Sequence, residues 1–361
     1  MKIKQNPEDF RVEEVYTNIP DGKKYCIFIL EKKKWTTLKA IEAIAKKMKV
    51  SVRRFNIAGQ KDRQAITKQY VSCADIGKQD IAYLRLKDIK LTFVKYSDKP
   101  IMLGGLDMNK FKITIRDIKE PLQPIRHVPN YYDDQRFGGY RPNLHLVGKE
   151  VLKNNYEQAV KLLLLYPFPT ETENYTDARV YMEENWGDWV TFELPKGMVN
   201  EKKLVGYLEK NPNDFKGALK ALPRQLFSMI PQAYQSYLFN KSLSAYLKNN
   251  YEGEDREYAL GKLFFCDLPL EIDWPIIGYK TKGNEFDGLL KEEGITKEIF
   301  NHEIPQLASE GLTRKAMIKV SIQMGKFKDN KQEVEFSLPP GSYATMVLKG
   351  MENVNSHKHN Y

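Results

Sequence analysis

The same strand pattern occurs in two segments that lie far apart in the chain. In residues 111–115 apolar side chains alternate with polar ones, and residues 334–338 repeat this alternation. A period of two is typical of a strand with one face in a core and the other in solvent. Since helical patterns fill much of the chain between them, we expect one sheet domain whose two parts are separated by a large insertion.

Further strands and one helix are predicted in the first 120 residues. Residues 25–31 are apolar on both faces, which predicts a central strand, and residues 65–73 and 89–96 also have extended patterns. Between the first two strands, Thr36 or Thr37 is a candidate N-cap for a helix. The apolar stripe of this helix is predicted to consist of Leu38, Ile41, Ala45 and Met48.

After residue 150 the spacing of apolar residues becomes helical. It predicts helices at residues 156–166 and 232–247, the second of which begins after a turn at Pro231. Alternation returns at residues 316–324, which we predict to form a strand. Strands at both ends of the chain with helices between them indicate an α+β fold in which an insertion interrupts one sheet domain, and residues 353–361 form a polar tail.

Composition excludes several classes of protein. With 361 residues, 42% of them hydrophobic, the chain can bury a core and is not a disordered or collagen-like protein. No apolar run approaches the ~20 residues that span a bilayer, and the N-terminal residues lack the apolar stretch of a secretory signal. Cys26, Cys73 and Cys266 are too few and too widely spaced for a disulfide framework. We therefore expect a cytoplasmic protein with no membrane partner.

Nearly all of the excess positive charge lies in one basic segment, residues 31–70. It contains twelve Lys or Arg, Arg53 and Arg54 among them, against three acidic residues, and so carries nine of the ten net positive charges. Trp35 and Phe55 also lie in this segment. Because cations bind phosphates and aromatic rings stack on bases, the segment predicts a nucleic-acid surface. The alternative is a solvated helix face that keeps the protein soluble.

Several kinds of catalytic chemistry lack their usual motifs. The sequence contains no Gly-x-Gly-x-x-Gly, no P-loop, no Cys-x-x-Cys and no His-Glu-x-x-His. Nothing in it therefore indicates a site for a dinucleotide, a nucleoside triphosphate or zinc. We interpret His127 and His145 as structural histidines and Cys73 as a small core residue.

Two polar segments are candidates for a site. Residues 57–69 form a polar turn that leads into a strand, and this turn lies inside the basic segment. Residues 129–142 are rich in aromatic, amide and arginine side chains and almost lack aliphatic ones. Such a composition suits either an ordinary surface loop or a site for planar polar ligands.

Asp62 is the only carboxylate between Lys46 and Lys68. Its negative charge opposes phosphate binding in a basic groove, which favours a catalytic role, although a structural aspartate that caps the turn is the alternative. A cation close to it would keep the carboxylate ionised. If the segment is extended, however, Lys61 and Arg63 point to the opposite face of the strand.

At these segments the sequence resembles the TruD family of tRNA pseudouridine synthases. In one of the matching motifs, residues 129–138, Tyr132 and Asp133 stand where the family usually has Phe and Gly. Another matching motif, residues 59–69, has the family's catalytic pattern Gly-x-Lys-Asp-x-x-Ala-x-Thr-x-Gln. The likeness is carried, in chain order, by residues 6–14 (NPEDFRVEE), 59–69 (GQKDRQAITKQ), 129–138 (PNYYDDQRFG) and 338–345 (LPPGSYAT).

The resemblance implies the α+β pseudouridine synthase fold, a mixed and largely antiparallel sheet with an inserted, mainly helical second domain. Residues 1–150 and 310–352 would form the discontinuous catalytic domain, and residues 151–309 the inserted domain. It implies that a uridine of tRNA, typically uridine 13, is isomerised: the bond to N1 breaks, the uracil turns, and a bond to C5 forms. No atom is gained or lost, so neither a cofactor nor a metal is expected. The partner implied is tRNA, with other RNAs left open and no obligate protein partner expected.

The resemblance also assigns roles to residues of the matching motifs. Asp62 would be the essential carboxylate, which attacks the ribose or the base or assists a deprotonation. A flipped-out uridine loses its stacking, so aromatic pocket walls are expected, with Phe10, Tyr132 and Tyr343 as candidates. Asn130 would bind the uracil edge. The residues expected to place charge, support the site or contact RNA are Lys61, Arg63, Gln69, Gln135 and Arg136, with Arg53 and Arg54 from the basic segment.

Two other interpretations are distinguishable from this one. A catalytically silent RNA-binding module with the same fold would bind tRNA but would not need the carboxylate of Asp62. A DNA-binding protein would prefer duplex DNA to folded RNA, but the sequence contains no helix-turn-helix or zinc-finger pattern.

Overall fold

The first part of the chain consists mainly of strands, with two α-helices between them. The structure is a computed structural model that describes residues 1–169 and 171–352, so the predicted tail at 353–361 lies outside the described residues. The helices of this part are α1 (Thr37–Met48) and α2 (Lys78–Tyr83). Its strands are β1 (Phe10–Val15), β2 (Tyr25–Lys33), β3 (Phe55–Ile57), β4 (Ile66–Ala74), β5 (Ile89–Ser97), β6 (Met108–Arg116) and β7 (His127–Pro129).

The middle of the chain is mainly helical. Its helices are α3 (Leu144–Leu152), α4 (Tyr156–Leu164), α5 (Glu173–Glu184), α6 (Val199–Leu208), α7 (Phe215–Lys220), α8 (Arg224–Asn250) and α9 (Asp287–Glu293). Its strands are β8 (Glu254–Tyr258), β9 (Gly261–Phe265), β10 (Asp273–Ile276) and β11 (Leu312–Lys315). The chain then continues through β12 (Met317–Lys319), β13 (Gln323–Met324), β14 (Lys331–Leu338) and α10 (Ala344–Gly350).

The main sheet joins strands from both ends of the chain, as predicted. Its order is β13-β14-β6-β1-β4-β2-β5, with β3 beside β4. β1 runs parallel to β4, and the other pairs are antiparallel, so the sheet is mixed and largely antiparallel. In the β6–β14 pair, Ile113 lies opposite Val334 and Phe111 opposite Phe336. The two segments with matching alternation are therefore direct neighbours.

Helix α1 covers one face of this sheet and begins at the predicted cap. The hydroxyl of Thr36 accepts a hydrogen bond from the backbone N–H of Lys39, and Ile41 and Ile44 pack in a buried cluster with residues of β2 and β4. The prediction that Leu38 belongs to the buried stripe is wrong, because its side chain is 45% exposed. The buried face is rotated toward Thr37 and Ala40.

Two other predicted boundaries are wrong. Helix α8 continues through Pro231. The ring costs one backbone hydrogen bond, but Ile230 and Tyr234 on either side are fully buried, so tertiary packing outweighs the local preference. Residues 316–324 do not form one strand: their apolar positions up to Val320 are buried, but the chain is divided between β12 and β13.

The chain divides into two compact units. One comprises Met1–Val128 with the described residues from Lys319 onward, and the other comprises Pro129–Ile318. Residues 129–150 and 310–318, which were predicted to be part of the sheet domain, thus belong to the second unit. There the Tyr131 hydroxyl donates to the carbonyl of Phe264 at 2.7 Å, and the backbone N–H of Tyr132 donates to Asn240 Oδ1 at 2.8 Å. These buried contacts explain why the segment packs with the helices.

In the described part of the chain, none of the helices combines the length and the apolar character needed to cross a membrane.

Candidate active site

Asp62 lies on the loop between β3 and β4. Its side chain is 36% exposed, and the Lys4 ammonium lies 2.5 Å from its Oδ2 atom. The same ammonium lies 4.2 Å from the centre of the Phe10 ring. Lys4 is thus fixed by a carboxylate on one side and an aromatic face on the other, and its charge stabilises the ionised carboxylate of Asp62.

A buried lysine holds the backbone of this loop. The side chain of Lys32, at the end of β2, is almost fully buried, and its ammonium donates to the carbonyls of Lys61 at 3.2 Å, Asp62 at 2.9 Å and Trp35 at 2.8 Å. Three carbonyls match the three N–H groups of an ammonium. Burial lowers the pKa of Lys32 to about 8, against a smaller raising effect of the nearby Asp62.

A second buried network fixes the start of the same loop. The side-chain oxygen of Gln69 accepts from the Thr37 hydroxyl at 2.8 Å, and its NH₂ group donates to the carbonyl of Gly59 at 3.2 Å. The Thr37 oxygen in turn accepts from the backbone N–H of Lys61 at 2.9 Å. Both side chains are fully buried. Gln69, which the sequence assigns to support the site, therefore holds the loop through its amide.

The Lys61 side chain turns away from Asp62 and into the sheet. Its ammonium lies 2.8 Å from Glu14 Oε1 and donates to Asn109 Oδ1 at 2.7 Å. Only a tenth of the Lys61 side chain is exposed. Burial raises the pKa of Glu14, and the positive charge of Lys61 opposes that shift. The predicted contact of Lys61 with RNA is not what this geometry favours, because both partners of the amine are protein atoms.

The predicted aromatic walls of the first unit differ in exposure. Phe10 is 4% exposed and packs edge-on against Phe111, with ring centres 6.1 Å apart. Tyr343 is half-buried and forms the N-cap residue of α10, where its carbonyl accepts from the backbone N–H of Met346 at 3.1 Å. Of these two rings, Phe10 is the one whose face lies beside a partner of Asp62.

Three of the arginines predicted to support the site or contact RNA lie in the basic segment and have different surroundings. Arg54 is tied to the sheet, because it donates to the carbonyl of Ala74 and pairs with Asp75 at 3.2 Å. Arg53 and Arg63 are exposed. Arg63 directly follows Asp62, so among the exposed cations it is the nearest to Asp62 along the chain.

In the second unit, the amide of Asn130 is engaged by the protein. Its Oδ1 accepts from Arg314 at 2.7 Å, and its NH₂ donates to the carbonyl of Lys315 at 3.1 Å. Arg314 also donates to the backbone carbonyl of Asn130 at 2.8 Å. Asn130 is 6% exposed. This geometry favours a role in orienting Arg314 over the predicted direct contact with a uracil edge.

Tyr132 lies between two arginines of the same unit. The guanidinium carbons of Arg314 and Arg136 lie 4.3 Å and 5.3 Å from its ring centre. Arg136 also donates to the Ser236 hydroxyl at 3.0 Å. Gln135 is exposed. Asp133, where the related pattern has Gly, has φ −89° and ψ 168°, a conformation that any residue adopts, so this replacement costs no backbone strain.

Sequence reasoning missed Lys4, Lys32 and Arg314. Lys4 lies two residues before the first motif, Lys32 is one of three consecutive lysines, and Arg314 lies outside all four motifs. The pattern of β2 contains one usable signal. Lys32 lies on the same face of the strand as Phe28 and Leu30, whose side chains are buried. Among the residues that the structure describes, no group of three or more His, Cys, Asp or Glu side chains is placed to hold a metal ion.

Replacement of Lys4 tests its contact with Asp62. We expect Lys4→Met to lower turnover about tenfold, because the apolar stem still covers Phe10 but one charge-assisted contact to the carboxylate is lost. Lys2→Met is the matched control, since Lys2 pairs on the surface with Asp117. Single-turnover rates of both variants should be measured with saturating enzyme. Equal rates for the two variants would contradict a role for Lys4.

Comparisons with known proteins agree with this architecture. A solved structure of a TruD protein from Methanosarcina mazei superposes with a TM-score of 0.72 and 30% sequence identity, covering 97% of this chain and 93% of that one. Curated relatives described as "Probable tRNA pseudouridine synthase D" include one from Methanosarcina mazei, 31% identical over 98% of this chain and 93% of its own length. Another, from Methanopyrus kandleri, is 33% identical over 90% of this chain and 84% of its own.

The fold is therefore pseudouridine synthase-like. Pseudouridine synthases are a class of RNA isomerases. A family profile described as tRNA pseudouridine synthase D (TruD) matches residues 1–256 and 271–351. The chain belongs to the TruD family.

Proposed function

We propose that this protein isomerises a uridine of tRNA, uridine 13, to pseudouridine and that Asp62 is the essential carboxylate. The observation that carries the proposal is the way the Asp62 loop is held. Its carboxylate is partly exposed, whereas the backbone from Gly59 to Asp62 is fixed by the buried side chains of Lys32, Thr37 and Gln69. A loop that is immobilised from below while it presents one ionised group to solvent is typical of a catalytic site.

The chemistry asks for little beyond that carboxylate and a shaped pocket. The glycosidic bond to N1 breaks, the uracil turns, and the ribose carbon bonds to C5. One proton leaves C5, and one proton is taken up at N1. Atoms and electrons balance without a co-substrate. Attack on the ribose, attack on the base and assistance to deprotonation all require an ionised carboxylate, and Lys4 at 2.5 Å favours that state.

Several other residues receive proposed roles that take account of their contacts. Phe10 and Tyr343 would line the uridine site in the first unit, where the Lys4 ammonium lies over the Phe10 ring. Tyr132, held by Arg314 and Arg136, would present a ring in the second unit. Such an enzyme would meet tRNA in the cytoplasm.

The basic segment supplies a proposed surface for the phosphates of tRNA. Part of its charge is engaged within the protein: Lys32 and Lys61 are bound inside, Lys33 pairs with Glu8 and Lys68 with Glu13. Lys34 and Arg63 are exposed elsewhere in the segment, and the other exposed cations lie on α1, at its C-cap or on the short 3₁₀ turn at Val52–Arg54. They are Lys39, Lys46, Lys47, Lys49 and Arg53.

Removal of two of these charges tests the surface. We expect Lys46→Gln/Lys47→Gln to weaken tRNA binding and to reduce the slope of log Kd against log salt by up to about two, because two phosphate contacts are lost. The matched control is Lys326→Gln/Lys328→Gln, since both residues are exposed near β13 at the opposite edge of the sheet. Filter binding at several salt concentrations gives both slopes. Equal slopes for the two double variants would count against this surface.

The proposed position is tested with two tRNA transcripts that carry tritium at uracil C5. The first has uridine at position 13 and the second has cytidine there. We expect one equivalent of tritium to leave the first transcript in excess over the second. Equal release from both would show that another uridine is modified.

A further inference from the structure

An exposed pair of apolar side chains projects from the first unit. Met102 and Leu103 are 63% and 83% exposed, and we call them the apolar tip. They lie in the connection between β5 and β6. Neither side chain covers a core, so their burial has to come from a partner if it occurs at all.

The tip stands on a fixed base. Ile101 before it and Leu106 after it are both buried in one apolar cluster. The backbone N–H of Gly105 donates to the carbonyl of Met102 at 3.0 Å and closes a tight turn. Gly104 has φ +73°, which glycine adopts without strain. The two apolar side chains therefore project from a turn whose backbone is held on both sides.

The base of the tip is joined to the loop that carries Asp62. The backbone N–H of Gly104 donates to the carbonyl of Ala58 at 2.8 Å, and Ala58 packs in the same cluster as Ile101. The backbone N–H of Ile101 donates to the Ser72 hydroxyl of β4 at 2.9 Å. Ala58 precedes Asp62 by four residues, a span of at most about 15 Å. The tip and the carboxylate are thus mounted on one hydrogen-bonded support.

We propose that Leu103, assisted by Met102, is a wedge that enters the RNA beside the target uridine and takes the place of the extruded base. This inference rests on the proposed function, since a uridine inside folded RNA must leave its stack before Asp62 can reach it. Unbranched and branched apolar side chains such as Met and Leu are the ones that proteins insert between base steps. They have no hydrogen-bonding groups for phosphate, so base faces are the RNA surface that they match.

The test separates extrusion of the base from chemistry. A tRNA that carries 2-aminopurine next to the target uridine becomes more fluorescent when stacking there is broken. In full-length Asp62→Asn protein, which leaves the uridine unmodified, we expect a fluorescence rise on binding. In Asp62→Asn/Leu103→Ser we expect less than half of that rise at saturating protein. Asp62→Asn/Tyr83→Ser is the control, because Tyr83 is 79% exposed on α2 of the same unit.

A rate comparison in the otherwise unaltered protein gives a second readout. Leu103→Ser should slow tritium release from folded tRNA at least about tenfold, because unstacking is no longer compensated. The same variant should act at the unaltered protein's rate on a short single-stranded RNA whose target uridine is already unstacked. Tyr83→Ser should leave both rates unchanged.

Two results would overturn the wedge. One is an undiminished fluorescence rise in Asp62→Asn/Leu103→Ser, and the other is an equal loss of rate on folded and single-stranded RNA, which would indicate a merely structural role. Failure of the proposed function is a different result: the unaltered protein would then release no tritium from either RNA.

Discussion

Asp62→Asn should lose turnover by two to four orders of magnitude or more while it keeps its affinity for tRNA. The amide has the size of the carboxylate but cannot act as a nucleophile or as a base. The loop should keep its conformation, because its backbone is held by Lys32 and by the Thr37–Gln69 pair rather than by the Asp62 side chain alone. Tritium release and filter binding on the same tRNA transcript measure the two effects separately.

The matched control for this substitution is Asp21→Asn. Asp21 also pairs with a lysine, Lys95, but its side chain is 92% exposed. We expect its turnover to be unchanged. Asp62→Asn could instead lose tRNA binding while its turnover per bound tRNA stays normal. Asp62 would then be a structural aspartate that caps its turn.

Lys32→Met should have the second largest effect, a loss of turnover of about a hundredfold. The methionine fills a similar volume, but the carbonyls of Lys61, Asp62 and Trp35 lose their shared donor. The loop is then less well fixed, so the Asp62 carboxylate shifts from its position. The unpaired buried carbonyls also lower the free energy of unfolding. Lys33→Met is the control, because the neighbouring Lys33 pairs with Glu8 on the surface.

The pH dependence of turnover tests the same lysine. Because its pKa in the folded protein is lowered to about 8, the ammonium loses a proton above that pH and keeps two N–H groups for three carbonyls. We expect turnover to fall as the pH rises through about 8, and we expect Lys32→Met to lack this step. A step that persists in Lys32→Met would belong to another group.

The effect of Lys32 on stability has the opposite sign. Its pKa is lowered on folding, so between about pH 8 and its ordinary value of 10.5 the unfolded chain binds more protons than the folded one. The contribution of Lys32 to the free energy of unfolding therefore rises with pH through this window. Urea unfolding across that range should show that the free energy of unfolding of the unaltered protein rises with pH relative to that of Lys32→Met.

The sheet was predictable from the sequence to the extent that local periodicity controls it. The alternation at 111–115 and 334–338 survives folding as the β6–β14 pair because each strand has one buried face. Local rules failed where distant contacts decide the outcome. Pro231 remains inside α8 because buried residues surround it, and Leu38 is exposed because the contacts of the sheet, and not the helix pattern alone, select the buried face.

The candidate site divides in the same way. Asp62 and Gln69 could be named because they lie in one short motif, and the structure places Gln69 against the loop of Asp62. Lys4 and Lys32 reach that loop from 58 and 30 residues away. No local signal distinguishes Lys4 from the other lysines of the chain, and the alternation of β2 indicates only that the Lys32 side chain points inward. The folded structure was therefore needed to find their contacts with the loop.

The most direct test is a tritium-release assay on the purified full-length protein, without an added cofactor and with a tRNA transcript labelled at uracil C5. We expect the unaltered protein to release one equivalent of tritium and the RNA to keep its mass apart from the label, since an isomerisation adds and removes no atoms. Binding of that tRNA without any release, across a panel of transcripts, would contradict the account and indicate an RNA-binding module without catalytic activity.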